Sequence, residues 1–273
     1  SMDRLDYLIF CLKREGIYIY MDMLTYRKFK TGDGVEHALQ LGDAARPYSN
    51  YDETLLKLQK EFNEQLWTHV NPYTGLAYKD DPAIALAEVA NESDMFSRKI
   101  EIPYYRERLE QKFRRFLQDR GIEADPSAGP VDFSARVPVM LDFLRGVQED
   151  YYREIIGHLR KIGVKIPITG TNYSINGANR RAQRVTDFDD SHSYFYGWKW
   201  REDERAFDNT PMVAVRDALL PTLAFCKQGG RPFFVSEWDV PWPNEWRADS
   251  PLFLAAVGSL QGWSGFAIHT YAY

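Results

Sequence analysis

Six short apolar runs recur along the chain, and most show no regular alternation of polar and apolar residues. They are "IYIYMDML" (17–24), "AIALAEVA" (83–90), "VKIPITGT" (164–171), a short run inside "RVTDFDDSHSY" (184–194), "RPFFVSEW" (231–238) and "SGFAIHTY" (264–271). A strand with one wet face alternates, whereas a strand that is apolar throughout must be covered on both sides. The segments between the runs can supply that cover. Leu5, Leu8, Ile9 and Leu12 share one helix face, with Gly16 placed to end it. Leu55, Leu58, Phe62 and Leu66 do the same across 52–69, as do Phe143, Val147, Tyr151, Ile155 and Leu159 across 136–162. Further helices are predicted near 103–120, 212–227 and 251–262, and a polar loop over 27–50. Alternation of this kind predicts an α/β fold with a parallel sheet.

Composition is needed mainly to exclude. A length of 273 residues suits one domain over 1–273 with a sizeable core. A formal net charge of -5 and the lack of a long Lys/Arg run argue against a nucleic-acid partner. The charged helix "RERLEQKFRR" (106–115) has no interleaved aromatics and reads as a solvated face. No apolar stretch approaches the roughly 20 residues that cross a bilayer, so no membrane partner is expected. The opening "SMDRLDYL" is interrupted by charges and does not read as a signal peptide; Ser1-Met2 reads as an expression scar. The compartment stays open between cytoplasm and secretion with a leader removed. Cys11 and Cys226 are the only cysteines, and no His/Asp/Glu cluster has metal spacing, so neither a disulfide scaffold nor a metal or cofactor is expected. Neither G-x-G-x-x-G nor G-x-x-x-x-G-K-[ST] occurs, which removes the usual nucleotide-binding signatures.

Polar and aromatic residues crowd the C-terminal ends of the predicted strands: Asp22, Asn91-Glu92, Asn172, Asp190 to His192, Glu237-Trp238 and His269. In a (β/α) barrel that end carries the active-site loops. A lone strand-end Glu reads as a solvated rim residue. Glu92 and Glu237 in one barrel mouth read differently, because two facing carboxyls are what glycosidic bond cleavage requires. The expected separation is about 5–5.5 Å for a retaining mechanism. Glu92, approached through apolar "IALAEVAN", is expected to be the member with the raised pKa. Trp238, Trp242 and Trp246, with Trp198 and Trp200, read either as sugar-stacking rings or as packing lids. Tyr26-Arg27 reads as mouth lining or a rim ion pair, and Asn172 with Tyr173 as hydroxyl partners.

These motifs resemble those of the clan A glycoside hydrolases, retaining (β/α)₈ enzymes that include family five cellulases and mannanases and family two and forty-two galactosidases. The resemblance covers nearly the whole chain. Asn91-Glu92 resembles the clan's Asn-Glu pair ending the fourth strand, which implies an acid/base role for Glu92 and a sugar 2-hydroxyl contact for Asn91. Glu237 in "FFVSEW" resembles the nucleophile ending the seventh strand. "DDSHSY" (189–194) is similar to the sixth-strand segment, with His192 and Tyr194 near the nucleophile. "GWSGFAIHTY" (262–271) occupies the eighth-strand position, where the clan usually has a Trp beneath the sugar. His269 or Tyr271 stands there instead, and Trp263 comes earlier. The resemblance implies a carbohydrate partner and a TIM-type barrel, here with about six parallel strands visible. The first two strands have no counterpart, and no residue matches the Arg that hydrogen-bonds the nucleophile. An incomplete barrel leaves unpaired edges, expected at 17–24 and 265–273 and covered by a second copy of the chain. Two readings of function stand: a retaining β-glycosidase, or a carbohydrate-binding remnant that has lost hydrolysis.

Overall fold

The computed structural model describes residues 1–123, 129–173, 176–195, 199–201, 204–206, 209–215 and 219–270. They fall into two compact units, 1–170 and 171–273.

The first unit runs α1 (Met2–Arg14), β1 (Ile19–Leu24), α2 (Glu53–Thr68), β2 (Ile84–Ala90), α3 (Pro103–Asp119), α4 (Pro138–Lys161) and β3 (Ile168–Thr169). Its sheet is parallel in the order β1-β2-β3, with Leu24 opposite Ala90 and Glu88 opposite Thr169. Local chemistry sets the helix ends. Gly16 has φ +72°, a left-handed conformation that glycine adopts without strain, so α1 stops where the sequence places it. The Asp52 carboxylate accepts from the N–H groups of Thr54 and Leu55 at the start of α2, both at 3.1 Å. Proline opens α3 and α4, where its missing N–H costs nothing. Buried Asp6 ties α1 to the 69–81 segment: His69 Nε2 lies 2.9 Å from its carboxylate, and the Tyr78 hydroxyl donates to it at 2.8 Å.

Tyr152 of α4 is fully enclosed and lies flat against Gly170; a Cβ on Gly170 would stand 2.4 Å from its ring. Gly170→Ala is therefore expected to lower unfolding free energy by about 1–3 kcal/mol, the usual cost of overpacking. Gly146→Ala in α4, where a Cβ meets nothing within 4 Å, should instead add about 0.5–1 kcal/mol. Urea denaturation of the two variants checks both signs.

The second unit contains α5 (Gly177–Ala182), β4 (Asp189–Tyr194), β5 (Lys199–Arg201), β6 (Glu204–Ala206), α6 (Leu219–Cys226), β7 (Phe233–Asp239), α7 (Asp249–Gln261) and β8 (Gly265–Ile268). Strands β4, β7 and β8 form a parallel sheet in that order, and β5-β6 is an antiparallel pair. The core gathers Leu223, Cys226, Phe233, Val235, Trp238, Leu254 and Trp263, with Trp263 edge-on to Phe233 at 5.5 Å.

All six predicted strands are present and parallel, three in each sheet. The third is far shorter than the predicted 164–171, because Pro167 has no N–H for a ladder; its carbonyl accepts from Ala87 N instead. Of the helix predicted near 212–227, the described residues form α6 and a 3₁₀ turn at Met212–Ala214. The loop over 27–50 is not simply polar surface: it holds four 3₁₀ turns and buries Val35, Ala38, Ala44, Ala45 and Tyr48. No helix among the described residues is long and apolar enough to cross a membrane.

Candidate active site

Each unit contributes polar residues at the ends of its strands. In the first, β2 is clamped at its last residue from both sides: Ala90 N donates to Gly170 O and Asn91 N to Leu24 O. Asn91 is buried and Glu92 half-buried. Glu92 has φ +44°, a left-handed conformation that costs a non-glycine residue roughly 1–2 kcal/mol. A buried network just downstream holds the strained turn. Ser93 Oγ donates to Asn50 Oδ1 (3.1 Å), Asn50 Nδ2 to Gln148 Oε1 (3.2 Å), and Met95 N to the same Gln148 oxygen (2.9 Å). Asp94 accepts from Phe96 N and Ser97 N at 2.7 and 2.6 Å, and burial still pushes its carboxyl above the usual value.

Sequence reasoning missed Arg46. Its guanidinium donates to Thr25 O at 2.7 Å and stands 5.9 Å from the Tyr26 ring. Burial, then Arg98, lowers its pKa, while Glu92, Tyr26 and Asp43 pull the other way. Nothing in the pattern of "GDAARPYSN" marks Arg46, which sits in a loop read as polar surface. Tyr26 is 68% exposed. Arg27 turns away to the Phe29 ring at 4.7 Å and to Leu58 O.

In the second unit, β4 and the end of β8 bring three residues onto one carboxylate of β7. His192 stands opposite Glu237 in register. The Tyr194 hydroxyl donates a hydrogen bond to Glu237 Oε2. His192 Nδ1 lies 3.4 Å from that oxygen, and His269 Nε2 4.0 Å from it. The Tyr194 and His269 rings meet edge-on at 5.8 Å. Asn172 is buried and takes part through its backbone carbonyl, which accepts from His192 N at 2.9 Å. Asp239 next along β7 has its carboxyl pushed up by burial, against the Val240 N–H and the charges of His269 and Arg247. Trp238 is only 5% exposed and belongs to the unit's core. Trp242 and Trp246 are exposed. Trp198 and Tyr271 lie outside the described residues, and Trp200 is described by its backbone alone.

No protein-family model matches the sequence, and no curated protein matches it. Solved structures do. An endo-β-1,4-mannanase from Thermotoga petrophila aligns with TM-score 0.58 at 15% identity, covering 98% of this chain and 52% of that one. An endo-1,4-β-mannanase from Rhizomucor miehei aligns at 0.59 and 14%, covering 98% and 67%. A glycoside hydrolase family 5 mannosidase from the same organism aligns at 0.54 and 13%, covering 98% and 63%. The likeness is one of fold. The chain has an α/β fold like that of glycoside hydrolase family 5 enzymes, and it spans about half the length of the first of these structures.

Proposed function

We propose that the chain is a retaining glycoside hydrolase acting on a β-linked carbohydrate. Glu237 is the nucleophile and Glu92 the acid/base. The observation that carries this reading is the convergence of Tyr194 and His192 on Glu237 Oε2 at the end of β7. Donors aimed at one carboxylate oxygen fix its direction, as attack on an anomeric carbon requires. Glu237 then displaces the glycosidic oxygen, which takes its proton from Glu92, and a covalent glycosyl-enzyme forms. Water, deprotonated by the same Glu92, releases the sugar with retained configuration. Asn91 binds the 2-hydroxyl, a contact that strengthens in the oxocarbenium-like transition state and so raises rate. Asn172, His269 and Tyr26 complete the sugar site in this reading, whereas Trp238, expected to stack on the sugar, is packed in the core of its unit. The double displacement itself requires no metal or cofactor.

Trapping decides it. A 2-deoxy-2-fluoro glycosyl fluoride should leave one covalent sugar on the intact protein, with the adduct lost in Glu237→Gln. Screening aryl β-glycosides with β-mannan and β-glucan polymers identifies the sugar. Tyr194→Phe removes one hydrogen bond to a charged group, worth about 1.5–3 kcal/mol. Its kcat/KM is expected to fall about 10- to 100-fold, while its denaturation midpoint stays near wild type.

One observation favours a second reading. Where the resembled enzymes usually carry a Trp beneath the sugar, this chain has His269 or Tyr271, and Trp263 is buried in the core of its own unit. A carbohydrate-binding remnant would bind sugar tightly and yield no adduct.

We also propose that a second copy of the chain covers exposed apolar surface. β1 and β8 are end strands of their sheets, and Ile17, Tyr18, Phe266 and Ile268 on or beside them are exposed, as are Leu252 and Leu260 of α7. Sedimentation at low micromolar concentration should show a dimer; a clean 31.8 kDa monomer would rule it out.

A further inference from the structure

β7 carries one residue more than either neighbour between shared register points. Asp190 and His192 of β4 stand opposite Phe234 and Glu237, and Phe266 and Ile268 of β8 stand opposite Val235 and Trp238. Both neighbours therefore see a bulge in the 235–237 stretch. Successive residues of a regular strand point to opposite faces. The extra residue breaks that rule, so Ser236 and Glu237 both reach His192, at its two different nitrogens. Ser236 Oγ lies 2.9 Å from Nε2, and Glu237 Oε2 lies 3.4 Å from Nδ1. The bulge is itself anchored, because Ser236 N donates to Asp190 Oδ1 at 3.0 Å.

Donor and acceptor arithmetic then fixes the imidazole. An ionised carboxylate only accepts, so the nitrogen facing Glu237 must carry the proton. A neutral His192 then presents a bare Nε2 to Ser236, which must donate. We propose that Ser236 is a positioning residue: its hydroxyl holds neutral His192 as the Nδ1–H tautomer, so that the ring donates to the nucleophile. This rests on the proposed role of Glu237. The contact at 3.4 Å is longer than an ideal hydrogen bond, and catalytic hydrogen bonds of this kind commonly tighten along the reaction. Its chemistry suits the second step best. When water releases the glycosyl-enzyme, the Glu237 carboxylate leaves with a full negative charge that an N–H donor stabilises.

Ring ¹⁵N spectra of histidine-labelled protein read the tautomer directly, whether or not the protein hydrolyses anything. The chain has five histidines, and His192→Gln identifies the resonance of interest. Above its titration, His192 should be the Nδ1–H form. Ser236→Ala should shift it to the Nε2–H form or a mixture, leaving the other four unchanged, and Ser236→Thr, which keeps a hydroxyl, should restore the wild-type pattern. With a hydrolysed substrate in hand, Ser236→Ala should lower kcat about tenfold with little change in KM, again rescued by Thr. The proposal is overturned by an Nε2–H wild type, by a pattern that Ser236→Ala leaves unchanged, or by a His192 that stays doubly protonated at every accessible pH. Loss of the glycosidase reading alone would leave the spectra as they are.

Discussion

Glu237→Gln is expected to lower turnover roughly 10⁵- to 10⁶-fold, the range seen when a covalent nucleophile is removed from an otherwise intact site. The amide keeps the shape of the side chain and can still meet Tyr194 and His192, so folding and sugar binding should survive. What is lost, on the proposed role, is the electron pair that attacks the anomeric carbon. Glu92→Ala should behave differently, and the contrast is the more telling test. Proton donation is worth about 10²- to 10⁴-fold when the departing oxygen is basic. It is worth almost nothing when the leaving group is already a stable anion. Steady-state rates on an alkyl β-glycoside and a dinitrophenyl β-glycoside should therefore diverge for Glu92→Ala and fall together for Glu237→Gln. Equal losses on both substrates for Glu92→Ala would remove it from the acid role.

Arg231→Met should be among the most damaging substitutions remote from the chemistry, costing about 3–5 kcal/mol, the penalty for stranding one partner of a buried ion pair. Arg231 Nε donates to Asp189 Oδ1 at 3.1 Å, and the rest of its fork reaches Gln183 O and Thr186 O. Asp189 is almost wholly buried at the start of β4, and Gln228 Nε2 supplies a second donor at 3.1 Å. Burial raises the pKa of Asp189, although Arg231 and Gln228 pull it down. The sign of the pH effect follows. With a folded pKa above the unfolded one, the ionised carboxylate costs stability above the folded value. That cost is relieved as pH falls from there towards the unfolded value. Removing Arg231 leaves the carboxylate less compensated, so denaturation midpoints of the variant should recover on mild acidification more than those of wild type. A variant whose loss of stability is the same at every pH would refute the ion-pair account. Arg231→Lys, which keeps the charge without the fork, should lose less.

Most strand positions and their parallel direction were legible because unbroken apolar runs leave a strand no other burial. The candidate carboxylates were legible because they interrupt such runs at a fixed end. What was missed has specific causes. Ala44 and Ala45 have φ +55° and +50°, conformations that alanine propensity argues against, so the buried turns of the 27–50 loop had no sequence signal. Trp238 sits in a Trp-rich stretch beside Glu237 and looks like a ligand platform. Only the register of β7 shows that it points into the core. The same bulge hides Ser236, because period-two counting puts it on the face opposite Glu237. Arg46 lies in a segment where charge normally means solvent.

The left-handed backbone of Glu92 has a consequence for how this chain could drift. At that position the fold and the proposed chemistry want different residues. Glycine or asparagine would fit the turn with less strain, and every such replacement discards the carboxylate. A lineage selected for persistence alone would abandon Glu92 early, and a stability-guided design protocol would nominate it for replacement. Whatever stability the strain at Glu92 costs, a replacement chosen for comfort alone would give up the carboxylate on which the proposed acid/base role depends.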